Sequence, residues 1–228
     1  MDNLTEGSKQ VSTSFAIVPY STNGVLSEFY EPRKSFSFYG IPEHISIKQD
    51  WQSNGVAGVV WEGAYVLGNY AAKNLDLKKK NVLELGAGTG LVGMAMAKLG
   101  ANVTVTDVKK ALPLLQENIE LNFPTNDNNS STATPIVKEL EWGIHLHKHT
   151  CCYDLIVGAD IIYMEDSYDA LITTLKYFMR CLGTKILLSA KLRYDRVECF
   201  ISKLKNHFSN IDELLRDIKT NVVIFECF

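Results

Sequence analysis

The stretch Asn81–Gly93, NVLELGAGTGLVG, decides how this chain is read. A short apolar run breaks into Gly86, Gly88 and Gly90 at alternate positions, and a fourth glycine, Gly93, follows inside LVGMAMAKL. That order is a strand, a tight turn and a helix. Glycine lets the turn adopt left-handed backbone angles and lets a ligand come close to the main chain. Turns of this kind serve a phosphate, a dinucleotide or a nucleoside without phosphate, so the surrounding residues have to choose.

A phosphate loop needs a lysine followed by serine or threonine after its last glycine, and Leu91-Val92 follows Gly90 instead, which excludes it. A dinucleotide pattern emerges if the motif starts at Gly88, since Gly88, Gly90 and Gly93 have GxGxxG spacing and the acid Asp107 lies about 20 residues on. The strand, however, stops at Leu85. The turn therefore begins at Gly86, reads GxGxG and is preceded by the acid Glu84, the pattern of a methyl-donor site. Asp107 suits either ligand, because a carboxylate at the tip of the second strand accepts hydrogen bonds from both ribose hydroxyls. On these residues alone the methyl donor, the dinucleotide and a turn without ligand all stay open.

Outward from the turn, strands and helices alternate. Asn102–Thr106 is a second strand ending at Asp107, and a helix over about 111–122 carries Pro113 in its first turn, where the missing N–H costs nothing. Pro135–Leu140, Tyr153–Gly158 and Thr184–Ser189 read as further strands, with helices over 166–181 and about 195–208. Several strands are continuous apolar runs, which predicts a parallel α/β sheet covered on both faces. The last two strands, near 211–218 and 222–227, are too close for a crossover helix and predict an antiparallel hairpin at one edge. Upstream, Val59–Leu75 becomes helical from about Glu62, and SFSFY (35–39) and HISIK (44–48) around Gly40-Ile41-Pro42 predict a β-hairpin. Residues 1 to about 34 are polar and turn-rich, and PTNDNNSSTATP (124–135) is a polar surface loop.

Composition narrows the partners. At 228 residues with 46% apolar content and 10% aromatics, the chain supports one sizeable core, with residues 1–60 as an extension and 61–228 as the main domain. A net charge of −3 and a pI near 6.0 provide no basic field for nucleic acid. No apolar run approaches the roughly 20 residues of a membrane span, and the opening MDNLTEGSKQVSTS is neither basic nor apolar, so no membrane partner and a cytoplasmic or nuclear location are expected. The five cysteines are odd in number, with Cys151 and Cys152 adjacent, and read as reduced thiols. HLHKH (145–149) would place three histidines on one face if extended, but it sits in a polar connection and is read as surface, without a metal. Lys78-Lys79-Lys80 is read as a solvated helix end.

ELGAGTGLVG, VTVTD, KELEW and DLIVGADIIY, in this order and spacing, resemble the seven-strand protein-lysine methyltransferases of the methyltransferase-like 21 family. AIVPY, FSFYG, ISIKQDW and VVW upstream, and RYDR with the closing hairpin downstream, extend the likeness over almost the whole chain beyond about Phe15. The resemblance implies a doubly wound, mostly parallel seven-stranded Rossmann-like sheet and S-adenosyl-L-methionine as methyl donor, released as S-adenosyl-L-homocysteine. It also implies a monomer and a protein substrate, a seventy-kilodalton heat-shock chaperone being the acceptor of the nearest member. Carried over by motif, Gly86, Ala87 and Gly88 lie under the methionine and ribose, Asp107 binds the ribose, and Trp61, Trp142 and Ala159 line the donor. In the acid-x-x-aromatic motif Asp160 is expected to orient the acceptor amine and Tyr163 to wall its channel, the alternative for Asp160 being a structural bond to a backbone N–H at the next helix. Asp50-Trp51 and the hairpin are expected beside the cofactor, at the protein-substrate surface. The rival expectations are transfer to a different protein or a small molecule, or an inactive member that only binds a chaperone.

Overall fold

The computed structural model describes residues 29–124, 132–149, 152–192 and 196–228. AIVPY, residues 125–131 of the polar loop, residues 193–195 of RYDR and Cys151 lie outside the described residues.

The extension contributes β1 (Arg33–Phe36) and β2 (Ile45–Lys48), an antiparallel pair, then a one-turn helix α1 (Trp51–Asn54) capped by Asp50, whose carboxylate accepts from the Ser53 N–H. After α2 (Glu62–Asn74), the chain alternates β3 (Asn81–Leu85), α3 (Leu91–Lys98), β4 (Asn102–Asp107), α4 (Leu112–Asn122) and β5 (Ile136–Glu139). It continues through β6 (Leu155–Ala159), α5 (Tyr168–Phe178), β7 (Lys185–Lys191), α6 (Arg196–Leu204), β8 (Ile211–Asp217) and β9 (Val222–Cys227).

The seven strands lie in the order β5-β4-β3-β6-β7-β9-β8, parallel from β5 to β7, with β9 antiparallel to both its neighbours. The doubly wound sheet and closing hairpin expected above are present. Side chains alternate through the sheet: Val82, Val103, Val105 and Val157 pack with α2, α3 and α4 on one face, while Leu83, Leu85, Ile156 and Leu188 pack with α5 and α6 on the other. Central strands are buried on both faces, whereas β5 and β8 expose alternating charged residues such as Lys138 and Arg216, which blunts them as edges. The chain order reverses at β3, flanked by β4 on one side and β6 on the other. A crevice opens beyond the strand ends at such a reversal.

The hairpin differs from expectation in one respect. Its first strand ends at Phe36, because Phe38 turns inward to 5% exposure and lies against Gly68 of α2, where a Cβ would sit 2.6 Å from the phenyl ring. Two asparagines one turn apart on α4 then replace a third strand. Asn122 Oδ1 accepts from Ser46 N at 2.9 Å and its amide donates to Ser46 O at 2.8 Å. Asn118 repeats the pair on Lys48, at 2.8 and 3.1 Å. One helical turn rises about 5.4 Å and two strand residues about 6.6 Å, close enough for two amide side chains to serve alternate residues of an open edge.

One minor reading also changes. Helix α2 ends at Asn74, so Lys78–Lys80 occupy a turn, with Lys79 left-handed (φ 60°), and do not cap a helix. HLHKH lies in the connection after β5, as read, with a 3-10 turn at Leu146–Lys148.

Candidate functional site

Above the reversal lies a cavity of about 940 Å³, lined by all nine residues named in advance: Trp61, Gly86, Ala87, Gly88, Asp107, Trp142, Ala159, Asp160 and Tyr163. Its floor is the glycine turn. Gly86, Gly88 and Gly90 have φ of 61°, 52° and 84°, so the alternate spacing answers a backbone need. At Gly86 the need is also steric, since a Cβ would lie 2.8 Å from Ile161 Cγ2 and 3.2 Å from the Trp142 indole.

Three of the turn's N–H donors are already spent. Ala87 N–H donates to Thr106 O at 2.9 Å, Gly90 N–H to Ala87 O at 2.8 Å, and Gly88 N–H to Asp107 Oδ2 at 2.7 Å. A phosphate or pyrophosphate site works by aiming such N–H groups at the anion. Here they point inward, into the protein's own acceptors, which removes the dinucleotide reading that the spacing of Gly88, Gly90 and Gly93 had left open.

Two acids lie beneath and beside the turn. Glu84 is 2% exposed and accepts from Gly93 N–H at 2.8 Å. Burial raises its pKa to about 8, against the lowering effect of that hydrogen bond, and the charge of Asp107 adds to the rise. Asp107 accepts from Gly88 N–H and, at 2.7 Å, from Val108 N–H; burial nevertheless holds its carboxyl above the ordinary range. Each oxygen of a carboxylate has two lone pairs, so Asp107 keeps acceptor capacity toward the cavity.

The aromatic walls are fixed from behind. The Trp61 indole N–H donates to Val56 O at 2.8 Å, and its ring packs on Phe29, which bridges to Trp51 with centroids 5.3 and 5.4 Å away. The cavity is thus lined by Phe29, and Trp51 stands behind it, so the extension reaches the site by a residue the sequence reading did not single out. Burial raises the pKa of the Tyr163 hydroxyl, with a further contribution from Asp107, and the Tyr163 carbonyl accepts from Arg196 at 3.3 Å.

Asp160 gives Oδ2 to Gly63 N–H at 2.7 Å and Oδ1 to Lys191 N–H at 2.9 Å, from a left-handed backbone (φ 53°), the structural bonding weighed for it beside a role in orienting the acceptor amine. Ser189 Oγ completes the joint by donating to Gly63 O at 2.9 Å. Gly63 has no room for a side chain, since a Cβ would lie 2.5 Å from Asp160 Oδ2. Asp160 therefore fastens the first turn of α2 to the ends of β6 and β7, and is a positioning residue. Glu62 and Lys191, adjacent to this joint and ion-paired to each other, also line the cavity. Sequence reasoning missed both, although the end of a parallel strand, which is where Lys191 stands, is a place to look for ligand contacts.

The seven-stranded order with an antiparallel strand between two others, and a crevice floored by a glycine turn, define the class I methyltransferase fold. Among solved structures, the T. thermophilus 16S rRNA methyltransferase RsmC, solved with AdoMet and guanosine, superposes with a TM-score of 0.61 at 17% identity, covering 86% of this chain and 50% of that one. The family model described as lysine methyltransferase matches residues 41–207, and the chain belongs to that family. It is 41% identical over 213 residues to the protein N-lysine methyltransferase METTL21A of Xenopus tropicalis, covering 92% of this chain and 95% of that protein. It is 37% identical over 181 residues to the EEF1A lysine methyltransferase 3 of the same organism, covering 78% and 77%.

Proposed function

We propose that the protein transfers methyl groups from S-adenosyl-L-methionine to the side-chain amine of a lysine in another protein. The observation that carries this reading is a glycine turn with three of its N–H groups internally satisfied, set against the Asp107 carboxylate at the tip of β4. Such a floor suits a nucleoside that bears ribose hydroxyls and no phosphate. Gly86, Ala87 and Gly88 would underlie its methionine and ribose, Asp107 would accept from the ribose hydroxyls, and Trp61, Trp142 and Ala159 would enclose it. When bound, the donor supplies an electrophilic methyl group on a sulfonium.

The remaining tasks belong to the chain's own residues. A lysine amine with pKa near 10.4 is almost fully protonated at neutral pH and cannot attack in that form. The aromatic walls exclude water from the amine, which disfavours its charged state, and Tyr163 restricts its approach. Asp160, by holding α2 against β6 and β7, keeps those walls in register. Alignment of two bound reactants and desolvation then account for the rate, without a covalent enzyme intermediate.

The resemblance to the methyltransferase-like 21 family supports a seventy-kilodalton heat-shock chaperone as the acceptor; EEF1A, for which the second relative is named, is the natural comparison. The test is incubation of the purified protein with methyl-labelled donor and each candidate, followed by mass spectrometry of the labelled band. Label on a chaperone lysine is the expected outcome. Label on EEF1A alone would reassign the substrate, and binding of S-adenosyl-L-homocysteine with no labelled protein in either case would replace transfer by binding.

A further inference from the structure

Five carboxylates line the cavity, and four are engaged elsewhere or badly placed for an incoming lysine. Glu84 is buried under the glycine turn and bonded by Gly93 N–H. Asp107 is held by two backbone N–H groups at the tip of β4, on the ribose side. Asp160 spends one oxygen on each of two backbone amides. Glu141 follows β5, whose neighbour is β4, so it stands on the side of the sheet away from β6 and β7.

Glu62 differs from all four. It begins α2 beside Trp61, its side chain is 46% exposed, and it already holds an ammonium, that of Lys191 at the end of β7. Both partners line the cavity on the side where Asp160 and Tyr163 stand.

We propose that Glu62 is the docking carboxylate for the acceptor lysine's ammonium, and that Lys191 is its internal occupant until the acceptor displaces it. The inference rests on the methyl-transfer reading above. Replacing one ammonium by another keeps Glu62 paired throughout, and its exposed side chain leaves the carboxylate open to an incoming amine. The displaced Lys191 stays tethered nearby through its backbone bond to Asp160. While docked on Glu62 the amine keeps its proton, because the carboxylate favours the charged form; the proton passes to water when the amine leaves Glu62 for the methyl group, a step the displaced Lys191 ammonium favours by returning to the carboxylate.

The test uses S-adenosyl-L-homocysteine and two analogues in which its sulfur is replaced by nitrogen bearing either an aminoethyl or a propyl arm. The arms are nearly isosteric, and only the first carries an ammonium where the acceptor would sit. Calorimetry on the full chain should show the aminoethyl analogue preferred by about tenfold, the gain of one charge-assisted contact. Glu62→Gln should reduce that preference to about twofold or less while leaving S-adenosyl-L-homocysteine affinity unchanged, and Lys191→Met should increase it about threefold by vacating the carboxylate. No preference in the natural protein, a preference that survives Glu62→Gln, or loss of S-adenosyl-L-homocysteine affinity in that variant would overturn the assignment. An unchanged preference in Lys191→Met would overturn the displacement. Failure of the natural protein to bind any of the three ligands would instead refute the cofactor reading beneath it.

Discussion

Glu84 is a carboxylic acid at neutral pH where a surface glutamate would be a carboxylate. In the unfolded chain it gives up its proton near pH 4.5, and in the fold it keeps it to about 8, because burial outweighs the single hydrogen bond from Gly93. Across that window the folded state binds more protons than the unfolded one, so this group's stabilisation is complete below pH 4.5 and drains away as the pH rises through 8. The slope is at most about 1.4 kcal/mol per pH unit. Thermal melts from pH 5 to 8 should therefore fall more steeply for the natural protein than for Glu84→Gln, whose side chain still accepts from Gly93 N–H; parallel profiles would show that Glu84 is ionised in the fold. At this scale the site was partly legible. Gly86, Gly88 and Asp107 are fixed by local register along one βαβ unit, Trp61 came from the VVW motif of the resemblance, and all four line the cavity. Glu62, Gly63 and Lys191 were not found, because their relation spans α2, β6 and β7 and leaves no spacing in the chain. Asp160 lies in the cavity as expected, but which backbone amides its carboxylate meets, Gly63 and Lys191, no pattern in the chain reveals.

The elements were read more easily than the joints between them. Buried parallel strands are continuous apolar runs, and Pro113 and the closing hairpin obey local rules, so their positions survived contact with the structure to within a few residues. What the pattern did not reveal is the seam of Asn118 and Asn122 against β2, because asparagine in a helix usually signals a surface or a cap. Asn118 is fully buried and its amide also donates to Thr89 O at 3.1 Å, joining the extension to the glycine turn. Asn118→Ala leaves Lys48 N–H, Lys48 O and Thr89 O without this partner and should cost about 2–4 kcal/mol in chemical denaturation. A loss below about 0.5 kcal/mol would mean that water replaces the seam.

At the scale of the molecule, the reversal of strand order at β3 locates the crevice, and the surface charge of −3 leaves its filling to shape and local acids. S-adenosyl-L-homocysteine at a hundred times its Kd should stabilise the folded chain by about 2.7 kcal/mol, a rise in Tm of about 5–10 °C for a protein of this length. Nicotinamide dinucleotide at the same concentration should leave the Tm where it is, and a shift with the dinucleotide alone would reverse the ligand assignment. The turn's satisfied N–H groups give this contrast a meaning beyond the test tube. Most nucleosides a cell holds in quantity carry phosphates, and a floor with those amides already committed offers them little foothold. Discrimination against ATP and its kin is thus built into two main-chain bonds, Ala87 to Thr106 and Gly90 to Ala87, and a third from Gly88 N–H to the Asp107 carboxylate.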